Sequence, residues 1–231
     1  MQKSKFVIVF LLFISIFVLF GCGRTDEAGR FKEEYEGLNN AKDEAGQKIR
    51  NVKISSKNPI KYKSEDEIVD AINNKDTFVV LFGYPSCPWT RSIVETLMVV
   101  ARENSLDDIY YVNVEDIRDE YTIKDGKAVL SKEGTQGYSE LLGILSNILS
   151  EYTLNDGSKI INVGEKRIYT PNLVGVIKGE VLYSDTGISS LQTDPYMKFT
   201  DEILNDTKNK LTKVIKPVSD ALNSCDIESG C

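Results

Sequence analysis

The chain contains no histidine. That excludes Ser-His-Asp and Cys-His catalysis and every imidazole-ligated metal centre, so a nucleophile here must be activated by a helix end, a hydroxyl, a lysine or a carboxylate. Basic stripes are also lacking: 28 Lys and Arg face 35 Asp and Glu, for a net charge of −7, which argues against a nucleic-acid partner. Glycine-rich phosphate loops and internal repeats are absent, so no cofactor is expected. One tryptophan, six prolines and four cysteines occur in 231 residues. What is present is an ordinary globular balance, 41% hydrophobic and 27% charged, enough for one good core.

The N-terminus reads as a targeting segment. Lys3 and Lys5 precede Phe6 to Phe20, a 15-residue run without charge, shorter than the about 20 residues of a spanning helix. The run ends Leu19-Phe20-Gly21-Cys22, which resembles the lipobox of bacterial lipoproteins. That resemblance implies cleavage before Cys22, acylation of Cys22, and attachment to the extracytoplasmic face of the cell membrane. Residues 1–21 are therefore expected to be a signal peptide. Residues 22–50, charged and poor in large apolar groups, are expected to be a tether with some helix in Phe31 to Leu38.

From residue 51 the pattern alternates between strand and helix. Asn51 to Ser56 reads as a short edge strand. Ser64-Glu65-Asp66-Glu67 has capping-box spacing ahead of Ile68, Val69, Ala71 and Ile72. Thr77 to Phe82 is a continuous apolar run, as in a strand buried on both faces. A helix is expected over Cys87 to Glu103 and a strand over Ile109 to Val114, giving a right-handed crossover and parallel pairing. Tyr138 to Tyr152 reads as an amphipathic helix between turns at Asp125-Gly126 and Asp156-Gly157. Lys178-Gly179 joins two strands of a hairpin. A last helix is expected from Tyr196 to Ile215, ended by Pro217.

Cys87 thus falls between a buried strand and a helix start, where unpaired N–H groups and the helix dipole favour an anion. The thiolate is the reactive form of cysteine. Pro88 suits the first helical turn, Trp89 offers a flat apolar surface, and the Thr90 hydroxyl is expected to donate to the sulfur.

The stretch Phe78 to Arg91 (FVVLFGYPSCPWTR), with Tyr169 to Val181 (YTPNLVGVIKGEV) downstream, resembles the thioredoxin superfamily. Within it the nearest group is the thioredoxin-like lipoproteins of Gram-positive bacteria related to bacteriocin transport accessory proteins. The resemblance implies a mixed β-sheet flanked by helices over residues 51–216 and a cis Thr170–Pro171 bond facing Cys87. It also implies a helical insertion, about 121–163, before that proline. By the same resemblance Cys87, Thr90 and Pro171 carry the chemistry, with Pro88, Trp89 and Thr170 lining the substrate groove. Thr90 stands where the family has its second cysteine, and Leu81 where it has a buried carboxylate. A thiol–disulfide oxidoreductase with a single motif cysteine would act on protein thiols or disulfides outside the cytoplasm and would need another thiol to release the mixed disulfide. The rival reading is a non-catalytic module that binds an exported peptide or membrane partner in the same groove. A third is an acylated capture or adhesion protein on the same scaffold.

Cys225 and Cys231 close the tail, residues 217–231. They read either as a local disulfide, as a resolving thiol for Cys87, or as a pair for a partner; a metal site lacks a fourth soft ligand. The acidic residues Asp107, Asp108, Glu115, Asp116, Asp119 and Glu120 read as a solvated surface.

Overall fold

The structure, a computed structural model, describes residues 26–43 and 46–228, with side chains through residue 224. The signal peptide, Cys22 and Cys231 lie outside the described residues, as does the side chain of Cys225.

Nine strands and five helices follow one another among the described residues. A five-stranded sheet has the order β1 (Ile60–Tyr62), β3 (Ile109–Asn113), β2 (Phe78–Gly83), β8 (Asn172–Ile177), β9 (Glu180–Asp185). β3 runs parallel to both β1 and β2, while β8 is antiparallel to β2 and β9. The fold is therefore mixed α/β, with a mixed sheet flanked by helices.

β2 is central because all six of its residues are buried. Its alternate side chains enter two cores. Val79 and Leu81 meet α3 (Pro88–Glu103) and α5 (Asp201–Glu228) on one face. Phe78, Val80 and Phe82 meet α2 (Glu65–Asn73) and α4 (Gln136–Ile144) on the other. The Ser64 side chain accepts from the Glu67 N–H and Glu67 caps Ser64 in return, which starts α2 where the sequence indicates.

Four expectations are corrected. First, residues 26–50 are not a free tether. α1 (Glu27–Glu36) buries Phe31 and Tyr35, one turn apart, against the sheet. Their rings lie 4.3 Å apart, and the Phe31 ring meets Tyr111 edge-on at 5.0 Å. Second, Asn51 to Ser56 forms no strand. Val52 and Ile54 are buried, which produces the alternation, yet their N–H groups donate to the Asn39 and Glu36 side chains.

Third, the insertion is mainly β. Hairpins β4 (Glu120–Lys124)/β5 (Lys127–Lys132) and β6 (Ser150–Asn155)/β7 (Ile160–Arg167) flank α4, which stops at Ile144. Leu145, Leu149 and Tyr152 are still buried, so apolar spacing continues through a turn and a strand and imitates a longer helix. Fourth, Pro217 sits inside α5 rather than ending it. Val218 and Ser219 beyond it are buried, and the Ser219 hydroxyl donates to the Asn104 carbonyl, so packing offsets the lost backbone bond. Tyr196 and Phe199 precede that helix instead of facing inward from it. The Tyr196 hydroxyl donates to Asp43, and the Phe199 ring lies under the Arg50 guanidinium.

Candidate functional site

Register brings the two halves of the site together. Phe82 on β2 lies opposite Asn172 on antiparallel β8, so the chain leaving the end of β2 passes the chain entering β8. Cys87 is on the first and Thr170-Pro171 on the second. The Thr170–Pro171 peptide is cis.

Cys87 is the N-cap of α3, in extended conformation, with Pro88 at the first helical position. Its Sγ accepts from the Thr90 backbone N–H at 3.5 Å and lies 3.4 Å from Thr170 Oγ1. The thiol can also donate to the Thr170 carbonyl at 3.7 Å. As a thiol the sulfur therefore has an acceptor, and as a thiolate it has two donors. Only 3% of Cys87 is exposed, and Pro88, Trp89 and Thr170 around it are half-buried.

The role expected of Thr90 is corrected. Its backbone N–H reaches the sulfur, and its hydroxyl does not: Oγ1 is buried without a hydrogen-bond partner. The side chain instead packs on Gly83, where a Cβ would sit 2.8 Å from Thr90 Cγ2. Pro171 is buried next to Thr170, and Leu81 is wholly buried in the core.

Three side chains grip three consecutive residues of the loop before Cys87. Arg118 Nη2 donates to the Tyr84 hydroxyl at 3.3 Å, Arg91 Nη1 to the Pro85 carbonyl at 3.0 Å, and the Ser86 hydroxyl donates to Glu115 at 2.7 Å. Such anchoring holds Cys87 in one geometry.

Arg91, 1% exposed, does more than hold Pro85. It also donates to the carbonyls of Tyr35 and Arg50 and to the Asn39 side chain, at 2.7–2.9 Å. Its guanidinium is pushed down by burial. The N-terminal segment is thus bolted to the loop that carries the thiol. Arg50 continues the clasp by donating to the carbonyls of Pro195 and Met197.

Arg118 is also close. Its guanidinium lies 4.8 Å over the Tyr84 ring, and although burial opposes this, its pKa is raised overall through Tyr84. Neither arginine was read from the sequence as part of the site. A signal existed for Arg91: it lies four residues after Cys87 and three before Val94, on the buried face of α3.

Asp119 is a further correction. It is 8% exposed, not solvated with its acidic neighbours, because the chain turns inward there beneath the β6–β7 hairpin to meet Arg167. Burial raises its carboxyl above the usual range, against the Arg167 charge.

Among the described residues no helix is long and apolar enough to cross a membrane. No protein-family model matches the chain, and no curated protein matches it.

Proposed function

We propose that this chain is a membrane-anchored, thioredoxin-like protein that exchanges thiols and disulfides outside the cytoplasm through the single thiol of Cys87. The observation that carries the reading is the meeting of Cys87 Sγ, at a helix N-cap, with Thr170 Oγ1 at 3.4 Å beside a cis proline. The strand order of the sheet and the anchored Tyr84–Ser86 loop support it.

In the exchange, the Cys87 thiolate attacks one sulfur of a partner disulfide. A bond forms between the two sulfurs, the partner's other sulfur leaves as a thiolate, and water supplies its proton. The Thr90 N–H and Thr170 hydroxyl hold the attacking sulfur in line. The buried Thr90 side chain cannot resolve the product, so a thiol from the partner or the surroundings attacks the mixed disulfide and frees Cys87. Anchoring through acylated Cys22 keeps this chemistry at the membrane surface.

The test is to quench cells with an alkylating agent and compare mixed disulfides on non-reducing gels for the natural chain and Cys87→Ala. Adducts present in the first and missing in the second are expected. If the adduct pattern is unchanged, exchange at Cys87 does not occur.

A second reading has its own observation. Cys87 is a free thiol that is only 3% exposed, which suits a groove that binds an extended peptide without reacting. Full biological activity in Cys87→Ser would favour it.

A further inference from the structure

Tyr169, the residue before Thr170, reaches the insertion. It is 39% exposed, yet its phenol is held at both ends. The hydroxyl accepts from the Thr153 N–H at 3.0 Å and donates to the Glu151 carbonyl at 3.2 Å. The ring meets Tyr152 edge-on at 6.4 Å, and Tyr152 itself lies under the Arg167 guanidinium at 4.0 Å.

The hydroxyl grips β6 at a break in its ladder. Glu151 pairs with Lys166, but Thr153 pairs with Asn162, so the register against β7 slips between them. Regular pairing is interrupted at such a slip. The tyrosine hydroxyl gives one N–H and one carbonyl beside the break a partner.

The next residue carries the partners of the sulfur. Thr170 Oγ1 lies 3.4 Å and the Thr170 carbonyl oxygen 3.7 Å from Cys87 Sγ. Ile168 and Pro171 on either side of the pair are buried. The core therefore holds the two ends of this short segment, and the β6–β7 hairpin holds its middle through Tyr169. A hydroxyl that donates to a thiolate favours the charged form. Such a bond weakens as its length and angle depart from the best values, so a small shift of Thr170 changes what the sulfur receives.

We propose that Tyr169 is a positioning residue for Cys87. Its hydroxyl ties the hairpin of the insertion to the Thr170–Pro171 segment and so keeps the Thr170 hydroxyl on the sulfur. The insertion thereby helps to set the reactivity of the thiol. The proposal rests on the exchange reading for the use made of the thiolate, while the positioning itself does not require that exchange occur.

The test is the rate of Cys87 alkylation by iodoacetamide across about pH 5–10, where thiols titrate. The full chain is used in a mild detergent, and the peptide carrying Cys87 is read by mass spectrometry. Tyr169→Phe keeps the ring and removes the hydroxyl. Its profile should move up by about half a pH unit, so that alkylation below the midpoint falls about threefold. Thr170→Val, which removes the donor itself, should move the profile at least as far. The double variant should move no further than Thr170→Val alone, because the two residues act in series. Tyr152→Phe removes a different hydroxyl of the same hairpin and should leave the profile in place. An unmoved profile in Tyr169→Phe overturns the proposal. So does faster alkylation at every pH with the midpoint in place, which would mean that the phenol only restricts access. Shifts that add in the double variant, or an equal shift in Tyr152→Phe, overturn it as well. A moved profile without mixed disulfides in cells leaves the positioning standing and removes exchange; mixed disulfides with an unmoved profile do the reverse.

Discussion

At the scale of single residues, Arg91 ties three stretches of chain to one guanidinium. It donates to carbonyls of Tyr35, Arg50 and Pro85 and to the Asn39 side chain. Arg91→Met keeps much of the volume but leaves these acceptors without donors, each at about 1–3 kcal/mol when buried. A loss of about 3 kcal/mol is expected in urea unfolding. With the Pro85 carbonyl released, the loop should loosen and Cys87 should be alkylated faster. Unchanged stability and unchanged alkylation would remove the clamp from the account. Gly83 works from the other side of the loop. A Cβ there would press on Thr90 Cγ2 at 2.8 Å and Oγ1 at 3.2 Å, pushing the first turn of α3 away from the strand. Gly83→Ala should cost about 1–3 kcal/mol and change the alkylation rate of Cys87, whereas Gly143→Ala, with nothing near its Cβ, should do neither. At this scale the sulfur, the proline and the helix start were legible, because glycine, proline and cysteine at a strand end carry strong local meaning. The arginines were not. A charged residue on a helix reads as solvated unless its acceptors are known, and those of Arg91 come from 6 to 56 positions away.

Among the elements, those with a full local signature were legible: β2 from its unbroken apolar run, α2 from its capping box, and the β8–β9 hairpin from Lys178-Gly179, both at positive φ. The β4–β5 and β6–β7 hairpins have no such run. Their burial alternates weakly, with exposed residues at most positions, and only the turns at Asp125-Gly126 and Asp156-Gly157 announced them. Some helix was expected from Phe31, but the docking of α1 was hidden for a related reason: it buries just two large side chains, and the rest of it is polar. Those two make it part of the core nonetheless. The Phe31 ring lies tilted against Tyr35 and meets Tyr111 and Tyr62 edge-on. Phe31→Ala should therefore cost about 3–5 kcal/mol in urea unfolding. A change of a few tenths would mean that α1 is peripheral after all.

For the whole molecule, charge and the proposed anchor at Cys22 make separate predictions. Glu36 is held below the usual carboxylate range by hydrogen bonds from Lys32 and the Ile54 N–H, and Glu67 by Lys63 and the Ser64 N–H. Asp206 is lowered by the Ser189 hydroxyl, and Asp156 to about 2 by the Ser158 hydroxyl and two backbone N–H groups. Carboxyls depressed by folding stabilise above their unfolded pKa and lose that contribution as pH falls through the folded value. Asp119, raised by burial, acts in the opposite sense, one group against four. The urea midpoint should hold steady across about pH 5.5–7.5, where no histidine titrates, and fall below about pH 4.5; a midpoint that rises on acidification would mean Asp119 dominates. The docking of α1 also changes what an anchor at Cys22 does. Asp26, the N-cap of α1, is four residues beyond Cys22, and an extended residue spans at most about 3.6 Å, so the start of α1 would lie within about 15 Å of an acylated Cys22. A tether reaching to residue 50 would let the thiol range widely; under the proposed anchoring, a short one would hold the domain against the bilayer surface. A fluorescent amino acid in place of Asp26 should be strongly quenched by headgroup spin labels when the acylated chain is bound to vesicles. Inserting about 20 Gly and Ser residues after Arg24, a flexible span of about 25 Å, should relieve the quenching. Cys22→Ser should leave the chain off the vesicles. Weak quenching in the acylated chain, or quenching that survives the insertion, would show that something other than a short acylated link sets the height of the domain.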